Sequence, residues 1–205
     1  MRILLETPEF YAIDKPAGVP TIPDRLGSAS VHDQFEAELA QKLWIVHRLD
    51  REVTGVLLFA RTAAAHRALS LAFERGQAHK TYHAWTGGPE PAARQFRWQD
   101  KLLRGKKRAY AHPAGKDAIT LAEFAGPAPQ PGLWQWQLQP LTGRNHQLRV
   151  HLASRGWPIA GDQLYGSPVP WRQGEIALRA VTLQLDAAVL GRAIAIEAGP
   201  IEIFS

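Results

Sequence analysis

The chain has 205 residues, 45% of them hydrophobic and 21% charged, the make-up of a soluble globular protein long enough to bury a substantial core. It has no cysteine, which excludes disulfides, thiol catalysis and cysteine metal sites and suits a reducing, cytoplasmic setting. A net charge of +5 favours an anionic partner, nucleic acid above all; no apolar stretch approaches the roughly 18 residues of a membrane span, and no signal-peptide pattern opens the chain, so no membrane partner is expected.

Residues 3–13 alternate loosely and predict a strand broken at Pro8. In Asp14-Lys15-Pro16-Ala17-Gly18-Val19-Pro20, two prolines and a glycine restrict the backbone and remove donors, which predicts an ordered loop rather than a linker. Lys15 reads as a solvated lysine or a phosphate contact. From Ser30 to about Lys42, Val31, Phe35 and Leu39 fall at four-residue steps, the stripe of a helix with Ser30 as its N-cap. Val46-His47-Arg48-Leu49-Asp50-Arg51 then leads into Thr54–Ala60, an apolar run of the kind found in sheet interiors. An Asp between two Arg at the mouth of a buried strand needs a partner, because an unpaired buried carboxylate costs several kcal/mol. On these residues alone, a structural salt bridge and a functional carboxylate fit equally. Thr62 to Arg75 predicts a second helix with Ala65, Leu69, Ala72 and Phe73 inward and Gly76 as its stop.

His79 to Trp85 alternates as a strand, with Lys80, Tyr82 and Ala84 on one face. Residues 87–93 read as a turn. Arg104-Gly105-Lys106-Lys107-Arg108 puts four positive charges into five residues, a solvated loop or a contact for a nucleic-acid backbone. Ile119 to Phe124 reads as a strand, 126–132 as a turn. Trp134, Trp136 and Leu138 alternate with three glutamines as a half-buried strand whose tryptophans are core. In the polar block Leu141 to Leu152, Thr142 or Asn145 caps a helix running to about Arg155 and closed by Gly156. Leu148 and Leu152 mark its buried side, with Arg149 at the edge, within reach of a buried carboxylate. His146 and His151 are five apart, a poor match to paired metal ligands on a helix, and no metal site is expected. Residues 157–166 form a Gly-punctuated loop; 176–185 and 192–196 read as closing strands.

Taken together the blocks resemble the RluA-type pseudouridine synthases. The match runs from Asp14-Lys15-Pro16-Ala17-Gly18 through His47-Arg48-Leu49-Asp50, Thr54-Gly55 and Lys80-Thr81-Tyr82-His83-Ala84. It continues through Thr142-Gly143-Arg144-Asn145-His146-Gln147-Leu148-Arg149 to Gly156, Pro158-Ile159, Gly161-Asp162 and Tyr165-Gly166. Ile22-Pro23-Asp24-Arg25 resembles the short insert of members with compact N-termini. Two positions depart from the pattern: Val53, where many members have Thr, and Arg179, where Leu-His-Ala is usual. The resemblance implies a single α+β catalytic domain over residues 1–205, without an N-terminal accessory RNA-binding domain. It implies a mixed, largely antiparallel sheet, flanking helices and a central basic cleft.

The activity so implied is isomerisation of uridine to pseudouridine in RNA, which needs no cofactor. By the resemblance, Asp50 does the covalent work, either attacking base or ribose or first removing a ribose proton. Arg149 pairs with it, a planar fork suited to that bond; Tyr82 stacks on the uracil and moves protons at C5. Arg48 fills the gap left by the flipped nucleotide, or else forms a salt bridge with Asp50 or Asp33. Further RNA contacts are expected at His47, Lys80, Arg144, His146, Arg104, Lys106, Lys107 and Arg108. The expected substrate is a stem-loop of ribosomal or transfer RNA, acted on by a cytoplasmic monomer. A non-catalytic RNA-binding module and a metal hydrolase are the rival readings, and the intact set of Asp50, Tyr82 and Arg149 favours the synthase.

Overall fold

A computed structural model describes residues 1–23 and 27–201, so Asp24 and Arg25 of the expected insert lie outside the described residues. The chain divides into two compact units. The first holds Met1–Lys80, Gln173–Glu175 and Ala180–Gly199. Its N-terminal pattern breaks at Pro8 as expected: β1 (Ile3–Glu6) and β2 (Phe10–Lys15) pair antiparallel. The Thr7 hydroxyl accepts from the N–H groups of Glu9 and Phe10 at the turn. β2 pairs with β4 (Thr54–Ala60), Phe10 opposite Ala60 and Lys15 opposite Gly55. The two-residue β3 (Trp44–Ile45) also pairs with β4, and β11 (Ile194–Glu197) pairs with β10 (Leu178–Leu185), the neighbour of β4.

β4 is buried along nearly its whole length because both of its faces are covered. On one, Phe35 of α1 (Val31–Leu39) packs between Tyr11 and Phe59, ring centroids 5.4 and 6.0 Å away. On the other, Phe10, Ala12, Val56 and Leu58 cluster with Ala65 and Leu69 of α2 (Ala63–Glu74). α1 starts at the expected cap, Ser30 Oγ accepting from the Asp33 N–H, and α2 is capped in the same way by Thr62, whose Oγ1 accepts from the Ala65 N–H. α1 stops short of Lys42, where Ala40 turns into the left-handed region at φ 48°. Gly55 sits at φ +107°, and a Cβ there would lie 2.1 Å from the Ala180 carbonyl oxygen. Only glycine lets β4 approach β10 this closely, which anchors the strand just after the Asp50 turn.

The second unit holds Thr81–Arg172 and Ile176–Arg179, with the described end of the chain. β5 (Ala78–Thr86) begins in the first unit and continues here. The strand order is β5, β9 (Trp134–Pro140), β8 (Lys116–Pro127), β6 (Gln95–Arg104), β7 (Ala109–Ala111), every pair antiparallel. α3 (Gln147–Ala153) packs on the face formed by Trp98, Leu102, Ala118 and Thr120. Trp136 is core, as expected: fully buried, its ring lies 4.9–5.7 Å from those of Phe96, Trp98, Phe124 and Trp157, and its N–H donates to Thr86 Oγ1. In both units helices flank a largely antiparallel sheet, and the fold is α+β. Among the described residues no helix is long and apolar enough to cross a membrane.

Two features depart from expectation. β6 and β7 are not among the expected strands; β6 alternates, with Phe96, Trp98, Asp100 and Leu102 turned inward, but the charged Asp100 interrupts its apolar pattern. α3 is shorter than 142–155 and neither Thr142 nor Asn145 caps it. It starts after His146, which sits at φ 51°. The Gln147 side chain does the anchoring. Its Oε1 accepts from the Arg144 N–H and the Thr142 hydroxyl, and its Nε2 donates to Ile119 O and Thr120 Oγ1. All four bonding positions of the amide are used.

Candidate active site

Asp50 opens a tight turn in the first unit, the Val53 N–H bonding back to its carbonyl at 3.1 Å while its carboxylate stays half-buried. The backbone is held on both sides of it. Before Asp50, the hydroxyl of Thr21, 2% exposed, accepts from the Leu49 N–H at 3.1 Å and donates to the Leu49 carbonyl at 2.9 Å. After it, Lys15 Nζ donates to the carbonyls of Pro16, Arg51 and Val53 at 2.8, 3.1 and 2.9 Å. The Gly18 N–H adds a second bond to Arg51 O at 2.9 Å. Lys15 is fully buried, which corrects both sequence readings: it is neither solvated nor a phosphate contact but a clamp on the Asp50 turn. Burial lowers its pKa to about 8 against the pull of Glu52 and Asp50. At neutral pH it is an ammonium, its three N–H groups matched to three carbonyls.

The neighbours of Asp50 divide. Arg48 is exposed and, among the described residues, forms no ion pair with Asp50 or with Asp33, whose carboxylate meets His32 at 3.1 Å. The salt-bridge alternative therefore falls away. His47, expected at the RNA, turns inward instead. Its Nε2 accepts from the Leu58 N–H at 3.1 Å and its ring stacks on Phe73 at 4.6 Å. Burial, reinforced by Lys80, lowers its pKa to about 3, so it carries no charge to a phosphate at neutral pH. Lys80 is half-buried, its ammonium 5.8 Å from the Phe73 ring and its pKa lowered by burial.

His47 and the buried His151, lowered to about 4, make stability acid-sensitive. Below the ordinary histidine value of 6.5 the unfolded chain takes up protons that the folded chain refuses. Their contribution is complete above that pH and is lost as pH falls towards 4 and 3. We expect the melting midpoint to fall between pH 6.5 and 4.5, and His47→Gln to shallow that fall. Equal slopes for the two proteins would remove His47 from the account.

In the second unit Tyr82 stands opposite Leu138 in the ladder, and directly opposed residues share a face. Tyr82 therefore lies on the face that carries Trp136, Thr120 and α3. Arg149, in α3, is 3% exposed and fully engaged along one edge: Nε and Nη2 each donate at 2.8 Å to the two oxygens of Asp162, 1% exposed. This fork uses two of the five guanidinium N–H donors. The Tyr165 ring lies 5.2 Å from the same guanidinium. In the sequence Asp162 stands out only as part of the Gly161-Asp162 block, an acid inside a Gly-punctuated loop, and its pairing with Arg149 is a finding of the structure.

The expected RNA-facing cations of this unit are exposed. Arg104, Lys106, Lys107 and Arg108 lie on or beside the loop joining β6 to β7, which is closed by the Gly105 N–H bonding to Arg108 O at 3.0 Å. Arg144 is exposed, its Nε on the Asp117 carbonyl. His146 differs: it is half-buried, with Nδ1 2.9 Å from the Tyr165 hydroxyl. His151 bonds Thr120 through Nδ1. Among the described residues no three His, Asp or Glu side chains gather as a metal site.

With this geometry in view, residues 9–154 match the family model described as RNA pseudouridylate synthase. An uncharacterised RNA pseudouridine synthase of Zymomonas mobilis is 39% identical over 193 residues, 90% of this chain and 87% of that protein. The chain belongs to the RluA-type RNA pseudouridine synthases. The dual-specificity RNA pseudouridine synthase RluA of Vibrio vulnificus is 30% identical to this synthase over 199 residues, 92% of this chain and 76% of that one. In fold the synthase resembles human RNA pseudouridylate synthase domain containing 1, with a TM-score of 0.82 at 21% identity over 97% of this chain and 82% of that one. The synthase is thus an isomerase. Its matched span includes Asp50, Tyr82 and Arg149 but ends before Asp162 and Tyr165, the residues on the edge and face of the Arg149 fork.

Proposed function

We propose that the synthase converts a uridine in a stem-loop of ribosomal or transfer RNA to pseudouridine, with Asp50 as the covalent residue and Tyr82 and Arg149 serving the same reaction. The target leaves its stack at a cost of a few kcal/mol, and exposed Arg48 fills the gap. The N1–C1′ bond breaks and a C5–C1′ bond forms; the C5 proton departs and N1 gains one, so no oxidant or cofactor enters. Tyr82 presents its ring to the uracil and its hydroxyl to the proton at C5. Arg104, Lys106, Lys107, Arg108 and Arg144 take the RNA backbone.

The observation that carries this reading is the Asp50 turn. A half-buried carboxylate sits between backbone segments held by two buried side chains, Lys15 and Thr21. Such a supporting shell is what a group needing fixed aim requires. Asp50→Ala and Asp50→Asn are expected to lower pseudouridine formation by on the order of 1000-fold, with RNA affinity within about threefold of wild type, a loss of ~0.7 kcal/mol at most. Turnover near the wild-type rate would refute the assignment. Pseudouridine mapping in cells lacking the gene identifies the RNA.

A further inference from the structure

One short 3₁₀ turn, Gln163–Tyr165, follows Asp162 directly. In such a turn side chains three apart stand over one another. Asp162 thereby takes the edge of the Arg149 guanidinium while the Tyr165 ring meets it at 5.2 Å. Arg108, in the basic loop, lies 5.8 Å from the same ring, and its Nη1 donates to the neighbouring Leu164 carbonyl at 3.1 Å. The Tyr165 hydroxyl donates to the Ala109 carbonyl and accepts from the Ala109 N–H, both at 3.0 Å. Its third bond, to His146 Nδ1 at 2.9 Å, completes one donor and two acceptor positions and makes the histidine the donor. Ala109 is buried, opens β7 and directly follows Arg108.

We propose that Tyr165 is a positioning residue that couples the basic loop 104–108 to Arg149. The inference rests on the proposed synthase reading. Its hydroxyl holds the backbone at the base of the loop as a neighbouring strand would, and its ring meets the loop's arginine and the buried one alike. RNA phosphates drawn to the exposed Arg104, Lys106 and Lys107 act on a loop whose last residue, Arg108, and the strand residue after it, Ala109, both meet Tyr165. A displacement there reaches the Arg149 fork through one rigid ring. Binding of the RNA backbone and alignment of Arg149 thus become one event.

Tyr165→Phe keeps the ring and removes the hydroxyl bonds. It is expected to slow single-turnover pseudouridine formation at saturating RNA about tenfold, with a smaller change in RNA affinity. In the wild-type background, Lys106→Ala with Lys107→Ala should lower both affinity and the saturated rate; in Tyr165→Phe the same pair should lower affinity alone. Independently of turnover, the Arg149 Nε–H resonance, protected by Asp162, should respond to added RNA in wild type and lose that response in Tyr165→Phe. A saturated rate within twofold of wild type, or loop effects on rate that are unchanged by Tyr165→Phe, overturns the coupling. Should Tyr165→Phe fail to fold, His146→Ala removes one hydroxyl bond and is held to the same criteria. Wild-type protein that makes no pseudouridine refutes the functional proposal, whereas a resonance that ignores RNA in active wild-type protein refutes only the coupling.

Discussion

Replacing Asp162 with alanine is expected to destabilise the synthase by about 3–5 kcal/mol, because it removes the carboxylate that two bonds hold against the buried guanidinium of Arg149. At about 2–4 °C per kcal/mol for a chain of this size, the melting midpoint falls by about 10 °C. The size of the effect follows from burial. Both side chains are at most 3% exposed and joined by two bonds of 2.8 Å, so little water reaches the arginine to compensate. A surface pair of the same geometry would cost less than about 1 kcal/mol. The double variant Asp162→Leu, Arg149→Met removes both charges and should regain much of the midpoint, since apolar groups of similar volume substitute well for a buried ion pair. It should regain no turnover. Arg149→Met alone should reduce turnover far more than RNA affinity; equal losses would make Arg149 a phosphate contact instead. A midpoint for Asp162→Ala within 2 °C of wild type would show that the fork contributes nothing to the fold.

The same pair shows where sequence pattern stops being informative. α1, α2 and β4 were legible because each follows a rule local to a few residues: Ser30 as a cap, the helical apolar stripes, Gly76 as a stop, the continuous apolar run. α3 keeps the four-residue step of Leu148 and Leu152, both buried as expected, but has no side-chain cap and little polarity contrast. Its buried surface carries Gln147, Arg149 and His151, each paired with Thr142, Asp162 or Thr120 from elsewhere in the chain, so polarity no longer marks the outside. In β6 an inward position is held by Asp100, joined to Arg155 at 2.8 Å, which hides the alternation. Lys15 misleads for the same reason. A lysine is expected in water, and the carbonyls that receive it come from residues up to 38 positions away. The catalytic candidates were legible as a block resemblance; the side chains that hold them depend on loop paths.

That distinction makes Lys15 the site of the second large effect. Lys15→Met keeps the length of the side chain and removes its donors from the carbonyls of Pro16, Arg51 and Val53. Arg51 O keeps the Gly18 N–H, so the loss falls on the other two. At about 1–3 kcal/mol for each buried group left without a partner, a total near 4 kcal/mol is expected, read as a lower denaturation midpoint at unchanged slope. Thr21→Val is the milder test on the other side of Asp50, stripping partners from the N–H and carbonyl of Leu49 without changing shape. If the clamp exists to aim the carboxylate, both variants should lower kcat more than they raise KM, because neither Lys15 nor Thr21 is among the residues proposed to take the RNA. The pH dependence has a definite sign. With a folded pKa of about 8 against an ordinary 10.5, Lys15 binds its proton less readily in the folded chain. Its contribution to stability therefore rises with pH across that window. Turnover should move the other way, since the neutral amine has two N–H groups for three carbonyls. Stability and activity diverging above pH 8 in wild type, and no longer diverging in Lys15→Met, would tie the clamp to the aim of Asp50; parallel curves in both proteins would leave Lys15 a purely structural residue.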